Sequence, residues 1–143
     1  MSVQSHTHAL DKRAVAELLQ TNDIQPTQQR LEIAQLLFAR PQHMCAEEVL
    51  SAVNQGGNVV SKATVYNTLG LFARKGLVRE VIVDPSRVFY DSNIAPHHHF
   101  YNVDTGELTD IGATQVAISD LPDLPAGTEP DGVEVIIRVR QGR

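Results

Sequence analysis

With 143 residues, 42% of them hydrophobic, the chain can hold one ordinary domain or two small ones and falls outside the disordered class. No apolar run approaches the roughly 20 residues that span a bilayer, the polar Met1–Lys12 segment lacks a signal-peptide core, and the single Cys45 excludes an internal disulfide framework, so a cytoplasmic protein with no membrane partner is expected. The net charge of -5 gives no global attraction to nucleic acid, but residues 1–92 balance nine basic against nine acidic groups while residues 93–143 carry three against eight, which leaves room for a local basic face in the front half.

Along the chain, a first helix is predicted from about Leu10 to Asn22, with Leu10, Ala14, Leu18 and Leu19 on one side. Ile24-Gln25-Pro26-Thr27 breaks it, and Thr27 caps a second helix whose stripe is Leu31, Ala34, Leu37 and Phe38, ending at Arg40-Pro41. Ala46, Val49, Leu50 and Val53 have the spacing of a short amphipathic third helix, stopped by Gln55-Gly56-Gly57-Asn58. A fourth helix runs from Lys62 to Lys75, with Ser61 as N-cap, Gly76 as C-terminal glycine and Val65, Leu69 and Phe72 inside. The period then changes to that of strands. Leu77–Val83 and Arg87–Asp91 are joined by Asp84-Pro85-Ser86, a type I turn composition.

From His98 a second hairpin is expected, His98–Val103 and Glu107–Ile111 about an Asp104-Thr105-Gly106 turn. Residues 112–131 read as a loop with one short helix near Thr114–Ser119, and Val133–Val139 as a last strand. Three helices followed by a β-hairpin form the winged helix-turn-helix arrangement. The predicted fold is therefore α+β: an N-terminal winged helix-turn-helix domain over 1–92 and a small C-terminal α/β dimerisation domain over 93–143. The second part alone is too thin to bury a core and is expected to share one with a second subunit.

The fourth helix carries residues suited to DNA. Ser61, Lys62 and Thr64 suit phosphates, Asn67 can bond adenine, and Tyr66 can meet a thymine methyl. The competing reading is an ordinary solvated face with Tyr66 half-buried. Pro26-Thr27-Gln28-Gln29-Arg30 followed by Ala63-Thr64-Val65-Tyr66-Asn67-Thr68-Leu69 resembles the paired signature of the ferric-uptake-regulator (Fur) family. The resemblance spans roughly residues 10–111 and the last strand. It implies a repressor that binds a double-stranded A·T-rich inverted-repeat operator as a homodimer, with Arg30, Ser61, Lys62, Thr64, Tyr66 and Asn67 on the DNA. The family often has Arg where this chain has Asn67, which departs from its usual base preference.

In the second half, His97 and His99 of the triplet His97-His98-His99 share a strand face, the nucleus of a metal site. Asp91 lies a few residues upstream. With Thr105-Gly106 as a two-residue turn, Asp110 pairs with Tyr101 and shares that face, a conclusion that a one-residue slip would reverse. The resemblance adds His43, placed in the loop between the second and third helices, because His43, Asp91, His97, His99 and Asp110 match the family's regulatory metal site. For any one of these histidines the competing reading is a surface or core-satisfied imidazole. An all-N/O set with two carboxylates suits Fe(II) or Mn(II), and Zn(II) can occupy it in vitro. A metal joining both halves would fix the reader helices at half-site spacing.

Other features separate branches of the family. Asn102 and Thr105 stand where many members have cysteines, so no four-cysteine structural zinc is expected, and Cys45 reads as a half-buried thiol. A second metal or haem site is matched only by His98 and Asp131. The missing cysteines and the His-His-His-Phe run are similar to the iron-response-regulator (Irr) branch, which implies haem or iron-status sensing, although no Cys-Pro haem motif is present. Asp110 in place of glutamate is similar to the peroxide-sensing branch, which implies Fe(II)-dependent oxidation of His43 or His99. The expected targets are thus iron, haem or oxidative-stress genes. Outside the family, a non-haem iron enzyme on His97, His99 and Asp110 lacks a substrate pocket and a general base, so no enzyme is expected. A metal buffer would not depend on Lys62 and Tyr66. His6-Thr7-His8 reads as a tail that could add a stray metal contact.

Overall fold

The structure, a computed structural model, describes residues 11–57 and 60–142. The expected helix start at Leu10, the His6-Thr7-His8 tail and Asn58 of the predicted turn lie outside the described residues. The chain divides into two compact units, one ending at Ile94 and the other beginning at Ala95.

The first unit is built from α1 (Lys12–Thr21), α2 (Gln28–Leu37), β1 (His43–Cys45), α3 (Ala46–Val53), α4 (Lys62–Arg74), β2 (Arg79–Asp84) and β3 (Arg87–Asp91). Short polar side chains start the longer helices. Asp11 accepts from the Ala14 amide at 2.8 Å, Thr27 from Arg30 at 3.3 Å and Ser61 from Thr64 at 3.1 Å, each satisfying a backbone donor that the first turn leaves open. At α3 the Glu48 carboxylate performs the reciprocal task, accepting from the Cys45 amide at 3.0 Å. α4 closes with a Schellman motif. Leu77 N–H bonds Phe72 O at 2.9 Å and Gly76 N–H bonds Ala73 O at 3.0 Å, with Gly76 at φ +77°.

The apolar stripes predicted for α2, α3 and α4 converge on one core, whereas α1 enters it through Val15 and Leu19, with the expected Ala14 and Leu18 only half-buried. Val15, Leu19, Leu37, Val49, Leu69 and Phe72 are fully buried there, and the Phe38 and Phe72 rings meet at 6.1 Å. α2 contributes Ile33 rather than Leu31 as a fully buried side chain, since Leu31 is only partly covered. Asn54 brackets the segment leading into α4, accepting from the Val60 amide at 2.8 Å and donating to its carbonyl at 3.1 Å. Two side-chain bonds thereby fix where the fourth helix begins.

β2 and β3 form the predicted wing hairpin, and Asp84 accepts from the Ser86 amide at 2.8 Å across its turn. A strand that the sequence pattern did not reveal completes the sheet. β1 pairs antiparallel with β3, giving the order β1-β3-β2 and the partners His43↔Asp91, Met44↔Tyr90 and Cys45↔Phe89. His43 is thus on a strand and not in the expected loop.

The second unit holds β4 (His98–Asn102), β5 (Leu108–Ile111), a 3-10 turn (Ala113–Gln115) and β6 (Ile136–Val139). β4 is central, antiparallel to β5 and parallel to β6. The short helix expected near Thr114–Ser119 is reduced to that single turn. The hairpin register also differs from expectation, because Asp110 pairs with His99 and Tyr101 with Leu108. Asn102 explains the shift. Its side-chain oxygen accepts from the Asp104 and Thr105 amides, and its backbone N–H bonds Glu107 O at 2.9 Å, closing a longer loop than a two-residue turn. The displacement is two residues, so the facing of Asp110 is preserved.

His99, Tyr101, Leu108 and Ile111 are the buried members of this small sheet, while Phe100, Ile137 and Val139 are exposed. Among the described residues no helix is long and apolar enough to cross a membrane. Because Phe72 is fully buried at the centre of the first unit, Phe72→Ala should destabilise that unit by about 3–5 kcal/mol. Urea denaturation followed by circular dichroism would show it as a lowered midpoint with little change in slope.

Candidate metal centre and nucleic-acid interface

In the second unit, strand alternation and pairing bring three donors together. His97 immediately precedes β4, His99 lies within it, and Asp110 is directly across on β5. Asp110 Oδ1 is 3.6 Å from His97 Nε2 and 3.4 Å from His99 Nε2, and the ligand atoms of all three lie within 4.8 Å of one another. The two imidazoles sit edge to face with centroids 4.6 Å apart.

The His97 tautomer follows from its neighbour. His97 Nδ1 is 2.7 Å from Ala95 O, and a carbonyl oxygen only accepts, so Nδ1 carries a proton and the neutral ring keeps its lone pair on Nε2. This carbonyl–imidazole arrangement is the one that orients histidine ligands in metal sites. His99 is almost wholly buried, with Glu134 Oε1 4.0 Å from its Nδ1, while Asp110 is largely exposed. Two imidazole nitrogens and one carboxylate, converging from a buried floor to an open edge, fit a borderline divalent cation.

His98 faces elsewhere, as alternation requires. Its Nδ1 accepts the Val135 amide at 2.9 Å, which places the proton of the neutral ring on Nε2. No lone pair of His98 is then available for an iron centre unless this bond to the β6 approach breaks. Asp131, its suggested companion, is exposed in the preceding loop. Haem therefore finds a poor fit at this pair as the chain is folded here.

In the first unit, the β1–β3 register sets His43 directly opposite Asp91. Paired residues point to one face of a sheet, so the imidazole and carboxylate are neighbours. Asp91 is 1% exposed and its Oδ1 accepts the Asn93 amide at 2.9 Å, while the His43 ring meets the edge of Phe89 at 6.0 Å. His43 thus has a fixed backbone position, which a loop would not provide.

The same unit carries the candidate DNA-facing surface. On α4, Val65, Thr68, Leu69 and Phe72 point inward, leaving Lys62, Tyr66 and Asn67 exposed. Thr27, Gln29, Arg30, Thr64, Asn67 and Thr68 line an open cleft of about 250 Å³ between the start of α2 and α4. Arg30 donates through Nη1 to Gln25 O at 3.0 Å, which holds its guanidinium near that cleft. Ser61 and Thr64 hydroxyls bond each other at 2.9 Å.

Glu47, in the first turn of α3, was not singled out from the sequence, yet it accepts the Tyr66 hydroxyl proton. That bond holds the Glu47 carboxyl below its usual range and raises the Tyr66 phenol above its own. Gln29, in the cleft, was also missed. The local signal for Glu47 was its outward position beside the buried Ala46 and Val49.

Residues 21–120 match the model of the Ferric uptake regulator family, which is more than half of the chain. The chain belongs to the ferric uptake regulator family. It is a metal-responsive regulator of that family, similar over 116 residues (81% of its length and 77% of the relative's) and 29% identical to the peroxide-responsive repressor PerR of Staphylococcus aureus. Among solved structures it resembles the ferric uptake regulator of Pseudomonas aeruginosa with manganese, at 26% identity and a TM-score of 0.66, covering 90% of this chain and 98% of that one. The Vibrio cholerae ferric uptake regulator shares the fold at 20% identity and a TM-score of 0.69, covering 88% and 98%. The winged-helix unit followed by a small sheet unit is thus the Fur architecture.

Within this Fur-family chain, the unlike surroundings of neighbouring histidines give a test. Asp110→Ala should weaken Mn(II) binding by about ten- to a hundredfold, a loss like that from a disrupted metal shell. His98→Ala should leave Mn(II) affinity within about threefold, since it is engaged with β6. Isothermal titration with Mn(II) on both variants would reveal the contrast, and equal losses would remove the distinction.

Proposed function

We propose that this protein is a cytoplasmic, metal-responsive transcriptional repressor that binds A·T-rich inverted repeats as a homodimer. Residues up to about 92 form its DNA-binding domain, and those from about 93 onward sense metal and dimerise. The observation that carries this reading is the convergence of His97, His99 and Asp110 on one edge, in a chain whose other unit is a winged helix. His43 and Asp91 complete the proposed regulatory site for Fe(II) or Mn(II), and Zn(II) is an in vitro substitute. The manganese-containing relative supports Mn(II) as the first cation to test.

The proposed coupling is mechanical. A cation that takes ligands from both units restricts the segment between them and holds two reader helices at half-site separation. Arg30, Ser61, Lys62 and Thr64 bind and orient phosphates, while Tyr66 and Asn67 meet base edges. The ligand constellation, in a chain that also carries a winged-helix unit, is read as a sensor and not as an enzyme.

Fluorescence anisotropy at fixed salt tests this with an A·T-rich inverted-repeat duplex and its scrambled counterpart. Selective binding that rises at least tenfold with Mn(II), and that Asp91→Ala abolishes, is the expected result. Equal affinity of metal-free and Mn(II)-loaded protein would overturn metal control. No preference between duplexes would overturn the A·T-rich operator.

A second reading, peroxide sensing, is supported by the similarity to PerR and by the imidazole-rich ligand set. Fe(II) would supply peroxide reduction when bound, and in this reading His43 and His99 are the residues oxidised. Peptide mass spectrometry after peroxide treatment should then show one added oxygen at either histidine with Fe(II) and none with Mn(II). Unmodified histidines together with retained DNA binding would leave metal occupancy as the signal.

A further inference from the structure

Tyr66 is the largest exposed side chain on the outward face of α4, and it is not free to turn. Its hydroxyl donates to Glu47 Oε2, and Lys62 Nζ lies over its ring at 5.9 Å from the centroid. Glu47 is itself well placed as a fixed acceptor. It occupies the first turn of α3, where the positive end of the helix dipole favours a carboxylate. A side chain of α3 and one of α4 therefore hold the phenol ring at its tip and over its face.

The consequence lies in hydrogen-bond accounting. A phenol has one proton to give, and here it is given to Glu47. In the major groove, guanine presents only acceptors, N7 and O6, and thymine an acceptor and a methyl, while the amino donors belong to adenine and cytosine alike. A tyrosine without a proton to donate cannot bond guanine. It can accept from an amino group, and its ring can pack on a methyl.

We propose that Glu47 is a positioning residue that accepts the Tyr66 hydroxyl hydrogen bond and thereby makes this tyrosine a reader of thymine methyls that rejects guanine. The proposal rests on α4 being the base-reading helix. It adds a specificity determinant on α3 that itself need not touch a base. The Glu47 carboxylate would also repel phosphates, so its charge and its hydrogen bond have separable effects.

The test uses the full-length, Mn(II)-loaded protein and the A·T-rich inverted repeat, with each half-site T·A pair replaced in turn by G·C so that guanine stands where thymine stood. A second series replaces thymine by uracil, which deletes only the methyl. Wild-type protein should lose about tenfold affinity at one G·C position and several-fold at the corresponding uracil, magnitudes ordinary for one altered base pair. Glu47→Gln should keep both penalties, because its amide oxygen still accepts the phenol proton, while binding all duplexes more tightly. Glu47→Ala should shrink the G·C penalty at that position to about threefold or less. Adding Tyr66→Phe to Glu47→Ala should restore the penalty, since the ring then has no proton to offer guanine.

Glu47 and Tyr66 are both exposed, and thermal unfolding of each variant should match wild type. A Glu47→Ala protein that keeps the wild-type G·C penalty would overturn the proposal, as would a double variant that stays permissive. A wild-type protein without any base preference would overturn the regulator reading and this one together.

Discussion

Strand β4 is hydrogen-bonded along both edges, to β5 running against it and to β6 running with it. On that arrangement the chemistry of the second unit depends. A strand paired on one side could slip, and a one-residue slip would exchange the faces of His98 and His99. Here the His99 amide bonds Val135 O while Asp110 pairs with His99 from the other side. The triplet is thereby divided by function. Two imidazoles join the carboxylate, and the middle one joins the backbone of the approach to β6.

The winged-helix unit solves a comparable problem with different means. α4 keeps one side exposed, and its position is fixed from behind and from its ends. The inward face of α4 packs on the common core, Ser61 and Asn54 define its start, and a Schellman turn defines its end. The exposed face then contains Tyr66, whose orientation depends on Glu47 outside the helix, and on neighbouring α2 the Gln25 carbonyl orients Arg30 in the same way.

What could be read from the sequence was what is local. The caps Thr27 and Ser61, the α3 and α4 stripes, the wing and Gly76 all report their roles through residues within a few positions. The His97/His99 pairing was legible from alternation alone. β1 was not, because three residues are too few for any periodicity, and His43 acquires its strand position only from pairing with β3. The β4–β5 register was displaced because hydrogen bonds to the Asn102 side chain set the loop length. The link between Glu47 and Tyr66 crosses 19 residues and joins two helices, so no local pattern contains it.

The parallel partnership of β4 with β6 also sets an order of assembly. His99 and Asp110 lie on adjacent strands of a short hairpin, whereas the bond from Val135 to His98 closes a separation of 37 residues. Loop-closure entropy makes the near pairing quick and the distant one slow. During folding, the two imidazoles and the carboxylate are therefore expected to meet on a nascent hairpin before the last strand arrives. A cation captured at that stage would act as a nucleus, hastening the folding of the second unit.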